Sequence, residues 1–260
     1  YSLNSMQVKC CAMLAPCAYY PISRCAKTLV VFQFVVSLAF ICTASMSWRQ
    51  YQHSLAYELG FKSENIVNVA LQGNDAEVLS QVLAQVPGVQ GIAQTEIVPA
   101  TGFINMADVV IKQSADSSSV HCNSVDHHYL TMHGNTFLAG HNFEEWMIAR
   151  NDTIEEAVIV NEQFVKRYQL GTAADAIGKE VIFGGQSLQI IGVLEDFHYA
   201  SLSDPIEAYL IRGSVQEAEY LSVQLATDNL IETMQALETA WQQVDPVHEA
   251  DITIYDDVIF

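Results

Sequence analysis

The stretch that most constrains this chain is Thr28 to Ser47, TLVVFQFVVSLAFICTASMS, which holds no Asp, Glu, Lys, Arg, His, Pro or Gly. At ~1.5 Å rise per residue, about 20 such residues cross the ~30 Å hydrocarbon layer of a bilayer. Lipid offers the backbone no hydrogen-bond partners, so the stretch must be helical. It is too long for a signal-peptide core of ~7–15 residues and begins too far into the chain. We therefore expect a transmembrane helix over 28–48, with Trp48 and Tyr51 as interfacial anchors. Gln33, Ser37 and Ala44 share a helical stripe, which predicts contact with other membrane helices.

Charge sets the orientation. All 30 acidic residues lie at or beyond Glu58, where they face only 7 basic ones, a net −23. Lys9, Arg24 and Lys27 precede the span. The positive-inside rule then places residues 1–27 in the cytoplasm or at its membrane surface, where Met6, Cys10, Met13 and Leu14 suit a short amphipathic segment. The acidity excludes a nucleic-acid-binding surface, which needs a basic patch, and is explained by solubility. Cys10, Cys11, Cys17 and Cys25 fall inside and Cys42 in the span. Cys122 alone is exported, so no internal disulfide can hold the outer domain. The chain opens on Tyr1, and we expect a fragment of a longer protein.

Residues 49–65 read as a helical stalk and lead-in, and 66–260 as an extracytoplasmic α+β domain in two lobes. Strands are expected at Ile66–Leu71, 89–98, 108–112, 120–125, 157–160, 180–183, 188–194, 208–211, 220–226 and 252–255. The longer helices are Asn74–Val86, capped by Asn74 with Glu77, and Asn229–Gln243, capped by Asn229 with Glu232. Their inward stripes read Val78, Leu79, Val82, Leu83, Val86 and Leu230, Ile231, Met234, Leu237, Trp241. Shorter helices are expected at His127–His133 and at Glu162–Tyr168, the latter capped by Asn161. Gly184-Gly185 marks a hairpin rather than a phosphate cradle. A break between lobes is expected near 102–150.

Two constellations invite a chemical reading. His121, His127, His128, His133 and His141 cluster near Asp126, but the i, i+4 spacing of a helical zinc site is missing, and they read as solvated or capping histidines. Glu195-Asp196-Phe197-His198 follows a strand without any nucleophile motif. It reads as a structural turn, with Asp196 as a cap and Phe197 in the core. No catalytic, cofactor-binding or metal-binding residue is assigned.

Several phrases, in order, resemble MacB/FtsX-type ABC transporter permeases: LVVFQFVVSLAFI at 29–41, LGFKSENIVNV at 59–69, VPGV at 86–89 and VDHHYLTMHGNTFLAGHNF at 125–143. AVIVNEQFVKRYQL at 157–170, AIGKEV at 176–181, LQIIGVLEDFHYASLSDPIEAYLI at 188–211, LSVQLATDNLIETMQALETAWQQVDP at 221–246 and the closing YDDVIF continue the run. Glu195 and His141 depart from it, standing where the family often has basic residues. The resemblance covers nearly the whole chain. It implies the span that opens the second half of a permease, followed by a MacB-like periplasmic core domain over 66–260. It further implies a multi-pass protein of the cell's inner membrane with no chemistry of its own. A separate cytoplasmic ABC ATPase would drive it, and its partners would be the remaining permease helices, membrane lipid and a periplasmic or outer-membrane protein. Its work would be efflux, other transport or a mechanical task. The chain itself has no G-x-x-x-x-G-K-[ST] phosphate loop. The alternative is a membrane-anchored extracytoplasmic sensor or ligand-binding domain; a tethered enzyme lacks a motif.

Overall fold

The computed structural model describes residues 24–55, 60–111, 117–149, 156–200, 204–226 and 229–255. The expectations for residues 1–23 and for the closing DDVIF lie outside them. The chain divides into two compact units, residues 1–53 and 54–260.

The first unit is built on one helix, α1, Arg24–Leu55. Its stretch Lys27–Gln50, with mean hydropathy 2.2, is long and apolar enough to cross a membrane, and every side chain there is exposed. Such all-round apolarity belongs in lipid, not against a protein core. Thr43 satisfies its hydroxyl internally, Oγ1 donating to the Ala39 carbonyl at 2.9 Å. The helix continues past the expected span through Leu55.

In the second unit β1 (Ile66–Ala70), α2 (Ala76–Leu83) and β2 (Val89–Thr95) come first. Next are β3 (Asn105–Ile111), β4 (Ser117–Val125), α3 (Tyr129–Met132), β5 (Phe137–Gly140), β6 (Ala157–Asn161), α4 (Glu162–Arg167) and α5 (Ala173–Ala176). The chain then forms β7 (Glu180–Phe183), β8 (Gln186–Leu194), β9 (Tyr209–Gly213), β10 (Tyr220–Leu225), α6 (Leu230–Val244) and β11 (Ile252–Ile254). The strand order β11-β1-β10-β2, all antiparallel, with α2 and α6 on one face, is a split βαββαβ unit. Everything from β3 to β9 is inserted between its third and fourth elements. There β4-β3-β7-β8-β6-β9 run side by side, and a parallel β4–β9 pairing closes them into a ring. Two lobes are present, but the boundary is not a break at 102–150. That region holds three strands, and the first lobe is made from both ends of the unit.

Alternation explains the cores. Val67, Val69, Leu221, Val223, Ile252 and Ile254 face α2 and α6 and pack around Leu79, Leu83, Leu237 and the fully buried Trp241. All six ring strands contribute to a second core, which Phe164 and Val165 of α4 join. Asn161 caps α4 as expected, accepting from the Phe164 amide at 3.0 Å. The 184–185 hairpin has φ +54 and +84, the left-handed pair its tight turn demands.

Three details differ from the sequence reading. Asp75, not Asn74, caps α2, accepting from Glu77 N and Val78 N at 2.9 and 3.1 Å. Asn74 is occupied elsewhere: its Nδ2 donates to Leu71 O and to Asp245 Oδ2, tying the start of α2 to the end of α6. Val78, Leu230 and Ile231 are exposed: α2 turns Leu79 and Leu83 inward, and α6 turns Thr233, Leu237, Ala240 and Trp241 inward instead. The short strand β5 and the helix α5, with its Thr172–Asp175 capping box, were not anticipated.

Candidate functional site: the clasp at the domain's two ends

Extensive aromatic packing in the outer unit joins residues 60–62 to Tyr255, just after its last strand. Gly60 has φ +82, and a Cβ there would lie 2.9 Å from Phe197 Cβ, so the chain can pass only as glycine. Phe61 follows. Its ring stacks on Tyr255 at 5.7 Å and meets Phe197 and His133 edge-on at 6.3 and 5.9 Å. Lys62 is held through its backbone: its N–H donates to His133 O at 2.7 Å, and its carbonyl lies 2.9 Å from His133 Nδ1. A carbonyl only accepts, so Nδ1 carries the proton. Nε2 is buried with no partner among the described residues. Burial therefore pushes the His133 pKa down to about 4 and keeps the ring neutral.

The roof of this clasp is α3, a single turn fixed by Asp126. Its Oδ1 accepts from the His128 and Tyr129 amides at 3.0 and 2.9 Å, and its Oδ2 accepts from Gln94 N on β2 at 3.0 Å. Burial outweighs these bonds and raises the Asp126 pKa to about 6. Tyr129 packs on His133 at 4.3 Å, and Tyr255, fully buried, donates its hydroxyl to Pro99 O at 2.9 Å. Aromatic contacts continue into the ring lobe through Phe197, Tyr199 and Tyr209, the last two stacked at 4.0 Å. Burial pushes Tyr199 up to about 12, and its hydroxyl lies 2.7 Å from His121 Nδ1.

The histidines singled out in the sequence are therefore dispersed in role. His133 is a buried clasp residue, and His121 pairs with Tyr199. His127 and His128 lie ring against ring at 3.8 Å, and exposed His141 turns Nδ1 to Asn142 O. Among the described residues no three His, Cys, Asp or Glu side chains are grouped to hold a metal ion. Asp196 caps a helix rather than its own turn: Oδ1 and Oδ2 accept from Gln163 N and Nε2 in the first turn of α4. Phe197 is buried, as expected. Phe61, Tyr129 and Tyr255 escaped the sequence reading; the one available signal was Gly60-Phe61, a glycine set directly before an aromatic where the stalk ends.

A helix long and apolar enough to cross a membrane, followed in the chain by an α+β domain, is the layout of a membrane-anchored module. The family model described as the MacB-like periplasmic core domain matches residues 37–240, and the chain belongs to that family. No curated protein matches it in sequence. The periplasmic region of MacB from Actinobacillus actinomycetemcomitans shares the fold with a TM-score of 0.56 at 14% identity, over 79% of this chain and 95% of that one. The extracellular domain of the noncanonic ABC-type transporter YknZ from Gram-positive bacteria does so with a TM-score of 0.51 at 15% identity, over 73% and 99%. These two neighbours are thus a periplasmic region of MacB and an extracellular domain of an ABC-type transporter.

Proposed function

We propose that this chain belongs to an ABC transporter permease that couples ATP hydrolysis by a separate cytoplasmic subunit to transport or mechanical work outside the membrane. In this reading residues 28–48 span a bacterial inner membrane, 1–27 lie on its cytoplasmic side, 49–65 connect, and 66–260 form the outer domain of a multi-pass protein. The observation that carries it is the clasp. The incoming segment at Phe61 and Lys62 and the outgoing strand at Tyr255 meet in one dry joint. Force applied to the chain at either end reaches that joint, and rigid packing rather than a loop passes it to both lobes. Family membership supports the same reading.

The test is reconstitution of the full-length protein with its neighbouring ATPase. Labels on β11 and on β7 should change separation on ATP addition, and Phe61→Ala should abolish that change while leaving ATPase association intact. Failure of any ATPase to co-purify, or unchanged coupling in Phe61→Ala, overturns the proposal. A second reading, an anchored sensor, draws on an open acidic hollow described next. It requires one further span and cytoplasmic signalling segments beyond Phe260, where the permease requires three spans.

A further inference from the structure

The face of the βαββαβ sheet opposite α2 and α6 is only half covered. Beyond the clasp it opens into a hollow of about 500 Å³ between β1, β11 and the 96–105 segment, in the size range of small-molecule sites. Glu96, Glu219 and Asp251 line it, and among the described residues no Lys, Arg or His does. A second hollow of about 840 Å³ shares Glu96 and Glu219 and adds Glu217, whose charge is met by Arg212 at 3.1 Å. Glu96 is held in place, accepting from Ser124 Oγ at 2.7 Å and from Nδ2 of Asn105, which also lines the hollow. Burial raises its pKa, and Glu217 and Glu219 add to the effect while the Ser124 hydrogen bond and the Arg212 charge oppose it.

An acidic lining alone would be surface chemistry. The floor makes it a site. Asn68 is 2% exposed and lines the hollow; its Oδ1 accepts from Ser222 Oγ at 2.8 Å, and its Nδ2 has no partner among the described residues. A buried amide donor left unpaired is destabilising, and a ligand acceptor would relieve it. Apolar surface stands beside it: Val98 in the wall, and Phe103 on the rim with 73% of its surface exposed.

We propose that this hollow binds an amphiphilic organic cation bearing an amide carbonyl. The ammonium or guanidinium lies among Glu96, Glu219 and Asp251, the carbonyl accepts from Asn68 Nδ2, and the apolar part covers Val98 and Phe103. This goes beyond the transporter reading, because it concerns equilibrium binding and holds whether or not an ATPase docks.

The probe is N-acetyl-phenylalanyl-arginine amide, titrated calorimetrically into the full chain in zwitterionic nanodiscs, with empty nanodiscs as the blank. Its citrulline counterpart has nearly the same shape and no charge. The arginine probe should bind saturably and the citrulline probe at least about tenfold more weakly. Raising ionic strength about tenfold should weaken the arginine probe alone, roughly threefold. Glu219→Gln with Asp251→Asn should cost it about tenfold, and Phe103→Ser about threefold, neither with any loss of thermal stability. Equal affinity for the two probes, affinity unmoved by these variants, or no saturable binding below ~10 mM overturns the proposal.

Discussion

One β-sheet face carries two opposite environments, and strand register shows how. Val67 pairs Ile254, Asn68 pairs Thr253 and Val69 pairs Ile252. Alternation then sends Ile66 and Tyr255, Asn68 and Thr253, and Ala70 and Asp251 to the same side. Within about 15 Å along the strands the surface changes from fully buried aromatic packing to open carboxylates. The backbone is the same throughout. The difference is the roof: Asp126 staples α3 to β2 over the Ile66 end, and no element described in the structure covers the Asp251 end. A dry joint and a wet hollow can thus be built side by side from one strand pair, each with its own tolerance to change.

That tolerance can be measured. Tyr255→Ala should cost about 4 kcal/mol, because it empties a sealed site and leaves Pro99 O unpaired. Thr253→Ala, two residues earlier on the same face, should stay within about 0.5 kcal/mol. Urea unfolding of the full chain in mild detergent, followed by tryptophan fluorescence, gives both values; comparable losses would erase the distinction. Gly60→Ala comes next, at about 2 kcal/mol, since it combines a positive φ with a Cβ driven against Phe197.

The clasp should also carry a pH signature. His133 binds its proton with a pKa of about 4 when folded against 6.5 as the reference. The unfolded chain therefore holds more protons between those values, and the stability contributed by the neutral ring is present above pH 6.5 and lost as pH falls toward 4, about 3 kcal/mol in all. Asp126 acts in the opposite sense. Its pKa is raised from 3.8 to about 6, so its burial penalty is relieved as pH falls through that window. The two offset each other in the wild-type profile. Subtracting the profile of His133→Phe, which keeps Asp126, isolates the histidine: the wild type should lose stability relative to the variant from pH 6.5 to 4. A difference flat across that range would place His133 in contact with water.

The sequence made some of this legible and hid the rest for physical reasons. The spanning helix, the Asn161 and Asn229 caps and the glycine hairpin depend on neighbours a few residues apart, so they could be read directly. Asn74 was misread because its competing partner, Asp245, lies 171 residues away. The lobe boundary was misplaced because the first lobe is assembled from both ends of the domain. The clasp was invisible for the same reason. Phe61, His133 and Tyr255 have no local pattern in common, and only the antiparallel pairing of β1 with β11 brings the last to the first. Of the histidines, His127 and His128 touch in the fold, while His121, His133 and His141 take separate partners.

The smallest expected effect lies in the hollow, and it has an unusual sign. Glu219 and Asp251 are exposed, and burial together with both carboxylates pushes the phenol of Tyr220 between them upward. Their charges repel one another and Glu96, which Arg212, paired with Glu217, only partly offsets. Glu219→Gln with Asp251→Asn should therefore stabilise the protein by about 0.5 kcal/mol at low ionic strength. High salt screens the same repulsion in the wild type, so the gain should vanish there. A loss of stability at low salt would mean that the carboxylates hold the sheet together, and the hollow would then be a structural seam instead of a surface kept charged for something else.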